Sequence, residues 1–223
     1  MRAIERLKYR LLIFDWDGTL ADSAAMIVGA MQRAIVALKL PPRSDESIRE
    51  LIGLGLNEGL QILYPEIELK HLRGLLDSYR AHWLAEGAGE APLFAGALDA
   101  LRELHGTGHS IAIATGKSRA GLKRSLRHHA DLLRLVSASR CADETASKPN
   151  PLMLEELLEQ EGLKAADALM IGDTEYDMEM ARAIGMPGLG VTCGVHHPER
   201  LLRAGASALI EQVRDLPGWL RRL

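Results

Sequence analysis

The apolar residues of this chain follow two rhythms. Leu11–Phe14 is an unbroken apolar run that meets Asp15, which predicts a strand buried on both faces with a carboxylate at its tip. Over residues 23–40 the rhythm changes: Ile27, Ala30, Met31, Ala34, Ile35 and Leu38 recur at steps of three and four, one face of a helix that Pro41 and Pro42 stop. Ser44 caps a short helix with Asp45 and Glu46 in its first turn, and Gly53 ends it. Gly55 and Asn57 open another helix that closes near Tyr64 and Pro65. Over residues 66–86, Leu69, Leu72, Leu76, Tyr79 and Trp83 form a bundle-like seam. Residues 21 to about 90 therefore read as helix throughout.

A stretch of small and turn-forming residues at 86–92 separates this block from a different pattern. Leu98, Leu101 and Leu104 mark a helix ending near Gly106 and Gly108, and residues 110–114 read as a short buried strand. Helix and strand then alternate: helix 122–129, strand 135–138, helix 152–160, strand 168–171, helix 174–184, strand 189–192 and a weaker strand 208–210, followed by an Arg-rich tail. Short apolar strands alternating with helices predict an α/β fold, a Rossmann-like doubly wound parallel sheet covered on both faces. The opening strand belongs to that sheet, so the helical block is an insertion behind it. In such sheets ligands bind beyond the carboxyl ends of the strands.

Composition narrows the class without naming a chemistry. The chain has 223 residues, 47% hydrophobic and 26% charged, long enough for one large domain or a core plus an insert. With 27 basic and 30 acidic residues the formal charge is -3, which gives no electrostatic grip on nucleic acid or a membrane surface. The two cysteines, Cys141 and Cys193, fit neither a disulfide framework nor a metal spacing and point to a reducing compartment. The first ten residues carry no apolar run suited to a signal peptide, and no window approaches a membrane span. The expectation is a cytoplasmic protein without nucleic-acid or membrane partners. Its oligomeric state is not legible in the sequence.

What stands at the strand ends decides the chemistry. The first strand runs into Asp15-Trp16-Asp17-Gly18-Thr19, two acids followed by a glycine that permits a sharp turn and a threonine that can hydrogen-bond locally. The second ends in Thr115-Gly116-Lys117, a hydroxyl and an amide at the start of a helix; without the spacing GxxxxGK[ST] it is no P-loop. The loop after the third carries Lys148 ahead of Asn150 and Pro151, which serve as cap and first residue of a helix. The fourth ends in Gly172-Asp173-Thr174-Glu175-Tyr176-Asp177, where Thr174 and Asp177 have the spacing of a capping box and Asp173 is left over at the tip. Acid pair, hydroxyl, lysine and acid follow one another in chain order.

With these four motifs the sequence resembles the haloacid dehalogenase superfamily, over residues 1–20 and 92–223, and the insert 21–91 resembles that family's helical cap. Within the family the pattern is similar to phosphoglycolate phosphatase and related small-molecule phosphatases. The resemblance implies hydrolysis of a small phosphorylated metabolite with Asp15 as nucleophile, forming an aspartyl-phosphate. It implies Mg2+ as cofactor, held by the Asp15 carboxylate, the Asp17 carbonyl and Asp173, with Asp177 in support. Asp17 would be the general acid to the leaving alcohol and the general base to the attacking water. Thr115, Gly116 and Lys148 would hold the phosphate oxygens, and Lys148 would also neutralise Asp15. The cap would close over the site on hinges at 20–23 and 86–92. The loop Gly53-Leu54-Gly55-Leu56 either reaches the substrate or is a simple interhelical turn. Its GxG follows no strand and is not a nucleotide fingerprint.

Other branches fit less well. An acid at Asp17 disfavours haloalkanoate dehalogenation and phosphonate cleavage, although Trp16 is similar to the latter branch. A phosphoglucomutase would carry a histidine near the cap entrance, where Asp22, Ser23, Ala24 and Ala25 stand; small residues there give no transfer chemistry. Sugar-phosphate phosphatase, nucleotidase and pyrophosphatase activities stay open, as does a non-catalytic member that binds a phosphorylated ligand. Of the adjacent pairs His128–His129 and His196–His197, the second lies near the expected site edge, where a role in binding is open.

Overall fold

The structure, a computed structural model, describes residues 7–85 and 90–223. Residues 86–89 of the expected hinge, and the first six residues of the chain's charged start, lie outside the described residues. The strands are β1 (Leu11–Phe14), β2 (Ser110–Thr115), β3 (Val136–Cys141), β4 (Ala168–Gly172), β5 (Gly188–Val191) and β6 (Ala206–Ile210). They form one sheet in the order β3-β2-β1-β4-β5-β6, with every pairing parallel. Phe14, the last residue of β1, pairs with Ile113 on one side and Ile171 on the other, so these three residues stand level across the central strands.

Alternate residues of these strands face opposite ways into two apolar clusters, which is why the runs show no polar alternation. Leu12, Phe14, Ile113 and Ile171 share one cluster with Leu101 and Leu104 of α5 (Ala97–Gly106) and Leu122 of α6 (Arg119–His128). A one-turn α7 (Ala130–Leu133) follows, its Leu132 buried on the same side. Leu11, Ile13, Ala112 and Met170 face Leu154 and Leu157 of α8 (Leu152–Glu161) and Met180 of α9 (Glu175–Ala183). A cavity at one of these positions, as in Leu101→Ala, typically costs about 2–5 kcal/mol.

Between β1 and α5 lie α1 (Ala24–Ala37), α2 (Asp45–Arg49), α3 (Leu56–Leu63) and α4 (Leu69–Ala85), which bury a cluster of their own around Met31, Ile35, Leu60, Leu72 and Leu75. The Ser44 cap is present: its hydroxyl oxygen accepts from the Ser47 amide at 3.1 Å. The Leu72, Leu76, Tyr79, Trp83 seam of α4 faces inward as its spacing requires; Leu72, Leu76 and Trp83 are buried.

Three local readings need correction. β3 runs to Cys141, past the predicted residue 138, because it is an edge strand on which the polar Ser139 and Arg140 find partners: Ser139 accepts from Arg119, and Arg140 pairs with Glu156. The tail is part of the core. After α10 (Pro198–Ala204) and β6, a 3-10 turn (Val213–Asp215) and α11 (Leu216–Leu220) bury Val213 and Leu216 completely in the same cluster as α5. The Asn150 side chain accepts from the Leu152 amide at 3.0 Å, and Pro151 precedes the helix as its cap residue.

Candidate active site

Asp15 extends β1 by one residue, its amide donating to the Ile171 carbonyl at 2.9 Å. The strand pairing thus sets its carboxylate at the carboxyl edge of the sheet, where it is 1% exposed. Lys148, equally buried, places Nζ 2.7 Å from Asp15 Oδ1 and 2.6 Å from Asp177 Oδ1. Both Asp15 oxygens are buried, and among the described residues neither has a hydrogen-bond partner beyond the Lys148 ion pair at Oδ1. The Asp15 carboxyl is pushed well above the usual carboxylate range, first by burial and then by the charges of Asp177 and Asp173, with Lys148 opposing. Burial acts against the charge on Lys148, but Asp15 and Asp177 outweigh it and hold the ammonium above its ordinary value.

Asp173 is set at the tip of β4 by contacts from two other parts of the chain. The Thr19 hydroxyl donates to Oδ1 at 2.8 Å and the Val195 amide to Oδ2 at 2.9 Å. Thr19 is therefore not a local turn contact, as its position after Gly18 suggests, but a link across 154 residues. Gly18 has φ +84°, and a Cβ there would lie 2.2 Å from Asp173 Oδ2, so the turn needs glycine for conformation and for clearance. Burial and the Asp177 charge push the Asp173 carboxyl up to about 7, against the Val195 and Thr19 hydrogen bonds. Asp177 completes the capping box: its Oδ2 accepts from the Thr174 amide at 3.1 Å and hydroxyl at 2.6 Å.

One carboxylate oxygen from each of Asp15, Asp173 and Asp177 lies within 4.8 Å of the others. Three buried acids against one lysine, with neither Asp15 oxygen accepting a hydrogen bond among the described residues, fit a small hard cation bound through oxygen. The Asp177 oxygens already serve Lys148 and Thr174.

The Asp17 carboxylate has other partners: it accepts from the Ser23 hydroxyl at 2.6 Å and meets Lys117 Nζ at 3.0 Å. Neither partner is evident from the sequence. Ser23 reads as one of several small residues, and Lys117 only as part of a failed P-loop. Thr115 is fully buried at the end of β2, where its hydroxyl oxygen accepts from the Lys117 amide at 3.2 Å. Gly116 lies under the Gly53-Leu54 turn; a Cβ there would come 2.3 Å from the Leu54 carbonyl oxygen. The loop between α2 and α3 is therefore seated on the strand ends, not a free interhelical turn.

Further contacts hold the α1–α4 block there. The Gly55 amide donates to Ser147 Oγ at 2.7 Å, and the Tyr176 hydroxyl to the Glu50 carbonyl at 2.9 Å. Arg200 is shared between Glu50 of the block and Glu175 of α9. His196 is buried, its Nδ1 accepting from the Glu175 amide at 3.0 Å and its Nε2 lying 3.9 Å from Glu50. Burial, then Arg200, hold its pKa below the usual imidazole value. A cavity of about 390 Å3 remains between the block and the strand ends, reaching Asp17, Gly116 and Lys117.

Comparison with known proteins agrees with this arrangement. The family model described as Haloacid dehalogenase-like hydrolase matches residues 12–191. The protein named "Probable phosphatase IndB" of Dickeya dadantii is 34% identical over 212 residues, covering 93% of this chain and 92% of its own length. A phosphoglycolate phosphatase of Vibrio parahaemolyticus is 29% identical, covering 93% and 94%. The crystal structure of a hydrolase from Pseudomonas syringae superposes with a TM-score of 0.86 at 26% identity, covering 96% of this chain and 98% of that one.

Proposed function

Because the chain belongs to the haloacid dehalogenase-like hydrolases and is a phosphate monoester hydrolase, we propose that it transfers the phosphoryl group to Asp15 and then to water, with Mg2+ as cofactor. The observation that carries this reading is the setting of the Asp15 carboxylate, buried, met at Oδ1 by the Lys148 ammonium at 2.7 Å and, among the described residues, without a further hydrogen-bond donor to either oxygen. Such a carboxylate is aimed and poorly solvated, as an in-line nucleophile must be.

When bound among Asp15, the Asp17 carbonyl and Asp173, Mg2+ would offset the repulsion between carboxylate and phosphate. Thr19 and the Val195 amide orient Asp173 for that task. The phosphate oxygens meet the Thr115 hydroxyl, the Gly116 amide and the Lys148 ammonium; positioned donors of this kind commonly contribute a few kcal/mol each to the transition state. Asp15 attacks phosphorus, the ester bond breaks, and Asp17 gives its proton to the departing alkoxide. The carboxylate of Asp17 then takes a proton from the water that splits the aspartyl-phosphate, which restores both acids. Ser23 and Lys117 fix Asp17 on the side of the cavity where the alcohol must leave.

Residues 21–91 act as the cap of a core formed by 1–20 and 92–223. The seated Gly53-Leu54 turn excludes water from Gly116 when the cap is closed. The relatives named phosphoglycolate phosphatase make phosphoglycolate the first substrate to assay. Free Cys141 and Cys193 agree with a cytoplasmic location. The test is Mg2+-dependent release of phosphate from p-nitrophenyl phosphate, with Asp15→Asn as control. Activity without divalent metal, or full activity in the variant, would refute the reading.

A further inference from the structure

The cavity above Asp17 has a chemistry of its own. Its inner wall is made by side chains of α1, α4 and the Gly53-Leu54 turn, among them Met31, Leu54, Leu76 and Trp83, each buried. The Tyr79 ring stands beside Trp83, centroids 6.2 Å apart, and Lys117 Nζ lies 5.1 Å from the centre of the Trp83 ring. Asn57, Glu58, Arg80 and Asp143 border the cavity on its exposed side, while Asp17, Lys117, Ser118 and Arg124 line its core side and are less exposed, facing the apolar wall of α1 and α4.

The cations near the reacting groups are engaged. Lys117 meets Asp17 at 3.0 Å, and Arg124 pairs with Glu90. A carboxylate or a second phosphate on the alcohol side of the substrate would thus face Met31, Leu76 and Trp83 and would have to compete with Asp17 and Glu90 for Lys117 and Arg124, so its lost hydration would be poorly replaced. An apolar group there removes its own surface and that of the wall from water. A volume of about 390 Å3 is ample for a ring-sized substituent and is within the range of ligand pockets.

Resting on the phosphatase reading above, we propose that the substrate is the phosphate monoester of an alcohol with an apolar body, seated against Trp83, Tyr79 and Leu76. Trp83 and Tyr79 are then specificity-determining residues, because they touch the alcohol and not the phosphorus.

The experiment compares kcat/KM for ethyl phosphate, 2-phenylethyl phosphate and phosphoglycolate at saturating Mg2+. Ethyl and 2-phenylethyl alcohols are similar leaving groups, so their difference reports binding of the body. 2-Phenylethyl phosphate is expected to exceed ethyl phosphate by about tenfold or more, chiefly through a lower KM, and to exceed phosphoglycolate. In Trp83→Ala and Tyr79→Ala the ratio of 2-phenylethyl to ethyl phosphate should fall to about threefold or less. That ratio is internal to each preparation and does not change if part of a variant is unfolded. Phosphoglycolate or ethyl phosphate turned over as well as the phenyl ester, or a ratio unmoved in both variants, would overturn the proposal and leave the phosphatase reading intact. No Mg2+-dependent release from any ester would overturn both.

Discussion

Lys148 reaches Asp15 from a loop on the far side of β2, and its Nζ stops 2.7 Å from Oδ1 with both side chains removed from solvent. The same ammonium meets Asp177 at 2.6 Å, so one cation serves two acids and Asp173 stands close by. Removing it leaves buried acids without their counter-charge, which typically costs about 3–5 kcal/mol. Lys148→Met is expected to lower metal-free stability by about that amount at pH 8 in urea unfolding. At pH 5 the loss should be smaller, because the acids then take up protons. Phosphatase activity should fall at least a hundredfold, on the order of a lost charged donor.

A pH dependence follows from Asp173 at about 7 and from Asp15, which burial moves in the same direction. Ordinary aspartates titrate near about 3.9, so between that pH and about 7 the folded, metal-free protein holds protons that the unfolded chain has released. The cluster's contribution to stability is accordingly full at low pH and is lost as pH rises through that window. A divalent cation requires the ionised carboxylates and displaces those protons. The rise in Tm produced by millimolar Mg2+ should therefore be larger at about pH 8 than at about pH 5.5. Equal shifts at the two pH values would contradict the assignment.

Arg200 carries the third prediction, since it joins Glu50 of the helical block to Glu175 beside Asp173. Arg200 is a quarter exposed, so the pair is worth about 1 kcal/mol or less and Tm should barely move in Arg200→Met. If this contact favours the closed arrangement, KM should rise about fivefold with kcat within about twofold. Added salt should raise the wild-type KM and leave that of the variant almost unchanged. Steady-state kinetics at two ionic strengths checks this, and an unaltered KM in the variant would refute it.

Much of this architecture is legible because burial on two faces writes itself into a run such as Leu11–Phe14, and a bundle seam into Leu72, Leu76, Tyr79 and Trp83. Strand tips are legible for the same reason: a carboxylate directly after an apolar run, as at Asp15 and Asp173, has no packing use. What escapes is contact between distant segments. Thr19 serves Asp173, Ser23 serves Asp17, and Glu50 meets Arg200, none of which any local spacing announces. The second half of β3 is hidden because an edge strand accepts Ser139 and Arg140. The core role of Leu216 is hidden by the arginines around it.

The most direct test of the account is to stop the reaction after its first half. Asp17 protonates the alcohol and then activates water, but p-nitrophenol leaves without a proton, so Asp17→Asn should complete the first step with p-nitrophenyl phosphate and stall at the second. Rapid mixing should give a burst of nitrophenol close to one per active site. Acid-quenched protein should carry phosphate on the peptide containing Asp15, and hydroxylamine should remove it. Turnover by the wild type with no protein-bound phosphate in this variant, or phosphate on any residue other than Asp15, would contradict the account.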